Sequence, residues 1–489
     1  MIHIPKNLYT ATISLFLLSS VYASSGGLSE IPVTRWVDPT KSNPMTFEEY
    51  ISAKPYSNIV IEREYRIEKN DSAGKVAIII NSALADMDAI SESFNQYIDD
   101  LYEGDFTVVV YEVSGGFPSE LKGILQDEWD ETFKGAILIG ELPVPWFEME
   151  EDFGKDSGVQ KDWVQFPCDL YYMDLDGTWS DENSNGVFDA HTGSWQPEIY
   201  IGNLFAYNLS WNEAQIIKNY LERNHRYRWR ELEKVGAGLS YCDDDWTSWA
   251  VEWAEAAEAA FDNIINISNI NTTNAGDYKS RLPNAYDLVQ TFVHSWPQGH
   301  SFKIINGTNW DYMYSSELNQ VHPNSLFYNL FACSNSRYVE SDYMGGCYLF
   351  ASADGLGVLG STKTGSMLYF QDFYNPLSNG QTFGDAFKQW FSLHGQEPGS
   401  VTWSMSWFYG MTYLGDPTLM VDMPVMYQNG DPNNDHLINV LDIVIMIQII
   451  LEQLVPTDEE FRAADINDDD VVNIQDIVIS LNIILGINN

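Results

Sequence analysis

The sequence predicts an α/β protein with two adjacent, mostly parallel sheets flanked by helices, followed by a small all-α module. Short β-branched runs, "KVAIIIN" (75–81), "FTVVVYEV" (106–113) and "KGAILIGELP" (134–143), alternate with helical-length segments such as "DAISESFNQYIDDLYEG". A second set, "PEIYIGNL" (197–204), "GAGLSYC" (236–242), "YDLVQTFVHS" (286–295), "LFYNLFACS" (326–334) and "GLGVLGSTK" (355–363), surrounds the helix-like "WTSWAVEWAEAAEAAFDNII". Strands buried on both faces need such near-continuous apolar runs, and parallel pairing needs the crossovers between them. The tail repeats itself: Asp431 and Asp465 head two copies of one unit, 34 residues apart, which marks a separate small module.

Length and charge bound the rest. A chain of 489 residues with 45% hydrophobic content holds two or three domains. Its 25 Lys and Arg against 70 Asp and Glu give a formal charge of −45, which excludes nucleic acid as a partner and suits cation binding. Residues 1–23 read as a signal peptide, with an apolar segment around Ile13 to Val21 and small residues before Ser24. No later apolar run approaches the ~18 residues of a transmembrane span, so the mature chain is expected to be secreted or at the cell surface. Residues 24–74 read as a pro-segment or packing arm with one strand-like patch, Ile59 to Ile67. The first α/β subdomain is then expected over 75–200, a second, site-bearing one over 201–425, and the tail module over 429–489.

Four cysteines, Cys168, Cys242, Cys333 and Cys347, are too few for a disulfide scaffold and leave a thiol for chemistry. In "LFYNLFACSNSRY" an apolar strand stops at Cys333 and gives way to small polar residues, and in such sheets reactive groups gather at strand carboxyl ends. A cysteine nucleophile needs a base within hydrogen-bond reach and N–H donors for the developing oxyanion. "TFVHSWPQGHSF" offers His294 directly after a strand and His300 six residues on. Strand position favours His294 as the base; spacing to Cys333 keeps His300 as its rival. The alternative for Cys333 is a buried structural cysteine.

"LVQTFVHS", "SLFYNLFACSNS", "LGVLGSTKTGSM", "QTFGDAF" and "TYLGDPTLMV" occur in that order and resemble the gingipain-type cysteine peptidases, over roughly residues 75 to 422. The resemblance implies a caspase-like fold, Cys333 as nucleophile, the strand-end histidine as general base, and a protein or peptide substrate. The family's Gly-His-Gly is here Val293-His294-Ser295, with Gly299-His300-Ser301 following. Asp243, Asp244 and Asp245 end a strand where the family carries acidic residues. One of them, written provisionally as Asp244, is the candidate to orient the imidazole.

Three loops carry calcium-type spacing. Asp431, Asn433, Asp435, Asn439 and Asp442 stand at positions 1, 3, 5, 9 and 12, and Asp465, Asn467, Asp469, Asn473 and Asp476 repeat the register. Structural Ca²⁺ is the expected cofactor. Asp181, Asn183, Asn185 and Asp189 match positions 1, 3, 5 and 9 of a third loop, whose position 12 is Thr192 and offers no carboxylate. The duplicated tail resembles type I dockerin modules, which implies a cohesin-like or cell-surface partner. It departs from them at position 6, His436 and Asp470 in place of Gly, and its helices "IVIMIQIIL" and "IVISLNIIL" lack Lys and Arg. The rival readings are a catalytically inactive, calcium-stabilised scaffold of the same fold and a component of a polysaccharide-degrading assembly.

Overall fold

The computed structural model describes residues 31–487, apart from 71, 152–162, 233, 305–306, 396–400, 425–427, 436 and 468 and the side chains of 401–404 and 458. The expected signal peptide lies outside the described residues. The apolar runs form β1 (Val60–Ile67), β2 (Gly74–Asn81), β3 (Phe106–Ser114), β4 (Phe133–Ile139), β5 (Tyr200–Leu204), β6 (Gly238–Cys242), β7 (Ile264–Ile267), β8 (Tyr286–Phe292), β9 (Ser325–Phe331), β10 (Gly357–Ser361) and β11 (Met411–Gly415). Together they make one 11-stranded sheet in the order β1, β3, β2, β4, β5, β11, β10, β9, β8, β6, β7. The two expected sheet units are thus joined edge to edge, β5 meeting β11 at Asn203 and Leu414. Pairing is parallel except for β1 on β3 and β10 on β11.

Every residue of β8 and β9 is buried, as a central strand covered on both faces must be. β7 and β11 were not expected. Ile264–Ile267 follows directly on an Ala-rich helical pattern, and β11 enters from a distant part of the chain as an antiparallel insertion beside β10. A separate antiparallel meander, His294–Trp296, Gly299–Ile304 and Asn309–Tyr314, also went unforeseen and stands beyond the end of β8.

The seam between the two halves is held by a buried ion pair. Helix Glu213–Arg228, capped by the Asn212 side chain on the Gln215 N–H, ends with Arg228 donating to Asp416 Oδ2 at 2.6 Å. Asn224 donates to the same oxygen at 2.9 Å, and the Thr418 hydroxyl and N–H satisfy Oδ1 at 2.7 and 2.9 Å. Burial opposes the Asp416 charge, yet Arg228 and these hydrogen bonds outweigh it and hold the carboxyl below its ordinary value.

The arm is built into the body. β1 adds an antiparallel edge strand to β3, and Thr46 caps helix Phe47–Ala53 in a capping box with Glu49. Buried Arg337 donates to the carbonyls of Met45, Gln165 and Thr362 at 2.7, 2.9 and 3.0 Å. The tail has helices Val440–Ile450, Asp458–Ala464 and Ile474–Ile484 around its own small core of Met446, Ala464 and Val472.

Removing the Asp416 carboxylate leaves Arg228 buried without a counter-charge, so Asp416→Ala is expected to lose about 3–5 kcal/mol in denaturant unfolding. Because the folded pKa lies below the ordinary 3.8, the wild-type advantage should be complete above that value and disappear as pH falls through the folded one. A variant as stable as wild type at neutral pH would remove the seam from the account.

Candidate active site

Three adjacent parallel strands end level with one another: Cys242 of β6 pairs with Phe292 of β8, which pairs with Phe331 of β9. The register continues one residue further, Asp243 N–H reaching Phe292 O at 2.9 Å and Val293 N–H reaching Phe331 O at 3.1 Å. His294 and Cys333 then stand two residues past the ends of neighbouring strands, which run about 4.8 Å apart. The Ser295 hydroxyl donates to Cys333 O and ties the two loops together. Ser334 takes a left-handed φ of 55° and turns the chain away immediately after the thiol.

His294 is buried, between the rings of Trp246 at 4.8 Å and Trp310 at 5.3 Å. Its Nε2 lies 2.8 Å from Asp245 Oδ2, and its Nδ1 accepts the Arg35 N–H at 2.9 Å. An imidazole nitrogen that accepts carries no proton, so in the neutral ring the hydrogen is on Nε2 and is donated to Asp245. Burial pushes Asp245 up, but hydrogen bonds from His294 and Lys303 outweigh it and hold the carboxyl at about 2. Burial also lowers the pKa of His294, only partly offset by Asp245. Asp245 is therefore the carboxylate that orients the ring. Asp244, the aspartate provisionally named above, opens the short 3₁₀ turn Asp244–Trp246, and the imidazole nitrogens are engaged by Asp245 and Arg35 instead. Asp243 points back into the protein, accepts the Lys303 N–H at 2.7 Å, and is raised by burial to about 7.

Cys333 is fully buried, with Thr364 Oγ1 3.3 Å and Ser334 Oγ 3.7 Å from its sulfur, and burial pushes the thiol up to about 11. His300 is not brought to it. Across the meander His294 faces Ser301, so the next residue, His300, projects to the opposite face. It lies against Tyr278, Phe302 and Tyr348 with both nitrogens unpartnered, and burial drives its pKa down to about 3. All four cysteines are free thiols.

The acidic loops keep their expected register. Asp431 and Asp442 are buried together, Asp442 Oδ1 has no donor, and burial with neighbouring Asp431 and Asp435 raises Asp442. Asp435 N–H turns in to Asp431 and Asn433, and Asp469 N–H repeats this on Asp465 and Asn467. Asn439 and Asn473 cap the helices that follow, and Asp476 accepts the Asn473 N–H. Asp470, at position 6, takes the left-handed φ of 62° that this place demands; His436 lies outside the described residues. Such oxygens suit a hard cation, which would offset their mutual repulsion. In the third loop Asp181 accepts from Asn185 and Gly186, and Asp189 from Glu182 and Asn183. Glu148, unforeseen in the sequence, comes from strand Trp146–Glu150 to accept from the Asn183 and Asn185 amides.

Residues 429–485 match the family model for the dockerin type I domain. Among curated proteins nothing matches the chain. Among solved structures the chain is similar to the Arg specific cysteine proteinase gingipain R (RGPB), at 13% identity over 73% of this chain and 80% of that one, with a TM-score of 0.49. It is also similar to the complex of Porphyromonas gingivalis RgpB pro- and mature domains, at 12% identity over 72% and 81%, with a TM-score of 0.48.

The geometry ranks the histidines. His294→Ala should change the rate at which an alkylating reagent modifies Cys333, and Asp245→Asn should change it in the same direction, because the amide no longer fixes the Nε2–H tautomer. His300→Ala should lower thermal stability and leave that rate unchanged. Alkylation kinetics and melting curves on the three variants check the ranking, and a larger rate change for His300→Ala would reverse it.

Proposed function

We propose that this chain is a secreted cysteine endopeptidase. Cys333 is its nucleophile, His294 its general base and acid, and Asp245 the carboxylate that orients the imidazole. The observation that supports the reading is that these three residues follow the level ends of three adjacent parallel strands, with His294 Nε2 engaged by Asp245, so that Nδ1 turns to proton transfer once the Arg35 N–H leaves it. The thiol proton passes to Nδ1, the thiolate attacks a peptide carbonyl, and the proton is handed to the departing amine. Water then hydrolyses the thioester. The dockerin-like tail binds two structural Ca²⁺ ions through its paired loops and addresses the enzyme to a cohesin-like or cell-surface partner. The Asp181 to Asp189 loop takes a third Ca²⁺.

One observation favours the inactive-scaffold reading: the imidazole Nδ1 already accepts the Arg35 N–H. That block comes from the arm, not from the catalytic residues.

Cys333→Ser removes the thiolate with little change in volume, so it should abolish hydrolysis of a peptide library while leaving the fold and a calcium-dependent melting transition intact. Chelation should melt the tail first, since a module of this size has too little core to stand without its metal. Full activity in Cys333→Ser would end the mechanism, and a tail melt indifferent to calcium would reduce the repeat to a structural helix pair.

A further inference from the structure

The meander brings a lysine to the candidate site. Its strands pair His294 with Ser301 and Lys303 with Trp310. Residues two apart on a strand share a face, so Lys303 stands on the face of Ser301 and His294, while His300 and Phe302 take the other. The Trp310 ring lies 5.7 Å from the Lys303 ammonium and makes a T-shaped contact with the imidazole at 5.3 Å. Lys303 Nζ donates to both oxygens of Asp245, whose Oδ2 also lies 2.8 Å from His294 Nε2. At its other end the Lys303 N–H donates to Asp243 Oδ2 at 2.7 Å. Two of three consecutive aspartates thus hold one lysine, the first by its main chain and the last by its ammonium.

One carboxylate balances one cation. Beside a lone aspartate an imidazole is easier to protonate, because the ion pair favours the charged ring. Asp245 already carries an ammonium, so a protonated His294 would be a second cation on the same carboxylate, in a place where the ring is buried. The other groups around the ring do not relieve this. The Arg35 N–H points at Nδ1, Trp246 and Trp310 offer aromatic rings, and Cys333 stands past the neighbouring strand. Asp243 is turned to the Lys303 main chain, and Asp244 opens the turn that carries Asp245. Burial is the largest cause lowering the imidazole; Asp245 opposes it, and the charges of Lys303 and Arg35 add to it. The two charge-assisted hydrogen bonds also set the plane of the carboxylate, which holds Oδ2 where it accepts the Nε2 hydrogen.

We propose that Lys303 is a positioning residue of the site: by holding both oxygens of Asp245 it keeps the His294 imidazole neutral with its hydrogen on Nε2, so that Nδ1 stays a base in acidic medium; this rests on the peptidase reading. Lys303 moves no proton itself and acts through Asp245. A histidine paired with an aspartate alone would be protonated, and idle as a base, at a pH where this one still accepts the thiol proton. The consecutive aspartates then divide the work, Asp243 seating the lysine and Asp245 passing its charge to the ring.

The test is two pH titrations of the full chain as wild type, Lys303→Met, Lys303→Gln and Lys303→Arg. One follows the His294 ring by NMR of histidine-labelled protein, its signal assigned by loss in His294→Ala; the other follows kcat/KM on a peptide library. The Lys303 side chain is 21% exposed and its substitution keeps the N–H on Asp243, so the variants should fold. In Lys303→Met and Lys303→Gln the His294 midpoint and the acid limb of kcat/KM should both rise by about one unit. Lys303→Arg keeps a cation on Asp245 and should titrate as wild type does. An unmoved midpoint in Lys303→Met and Lys303→Gln, with wild type active, would overturn the proposal and leave the peptidase reading standing. A loss of kcat equal at every pH, or a midpoint that rises as far in Lys303→Arg, would also overturn it. A midpoint that rises in chains that hydrolyse nothing, wild type included, would end the peptidase reading and with it the part given to Lys303 in the reaction.

Discussion

The in-register parallel pairing of β8 with β9 is the constraint on which the site depends. Phe292 opposite Phe331 fixes where both strands stop, and the side chains that follow inherit that alignment. Side chains alternate along a strand, so a slip of one residue would turn His294 to the other face and bring a neighbour into its place. The register is secured from below: Trp253 packs its ring 4.8 Å from Phe292 and 5.3 Å from Phe331. The same alignment extends to β6, whose end delivers Asp245 to the far nitrogen of the imidazole.

Burial sets the electrical state of that centre. It raises the thiol and Asp243 and lowers the imidazole, while hydrogen bonds from His294 and Lys303 hold the Asp245 carboxyl low. Residues 32–37 lie along the strand ends here, hydrogen-bonded to Trp246, His294, Ser295 and Ser301. Departure of Arg35 would free the imidazole Nδ1. The arm, His294 and the meander therefore form one unit, in which the strand that carries His294 also pairs with residues 35–37. The tail stands apart with its own core, and its exposed apolar residues, among them Val440, Leu441 and Ile474, leave a surface that the body of the protein does not cover.

Much of this was legible in the sequence because the signals were local. β-branched runs marked the central strands, and the abrupt change from apolar to small polar residues after Phe331 marked the strand end where Cys333 stands. Strand position locates His294 because it tracks the sheet, whereas spacing along the chain counts meander residues that carry His300 to the other face. What escaped was decided by tertiary contact. Among three consecutive aspartates, only the turn from Asp244 to Trp246 determines that Asp245 meets the ring. β11 lies far along the chain from the strands it joins, and Glu148 reaches the Asp181 loop from another strand. Nothing in the composition of residues 31–37 announces that their backbone would lie across the site.

The central claim is that Cys333 is a nucleophile served by His294. Its most direct test is mass mapping of the chain lacking residues 1–37 after reaction with a peptidyl acyloxymethyl ketone. The account predicts one adduct, on Cys333, lost in His294→Ala and retained in His300→Ala. An adduct on Cys168, Cys242 or Cys347, or labelling of Cys333 that is indifferent to His294, would contradict it.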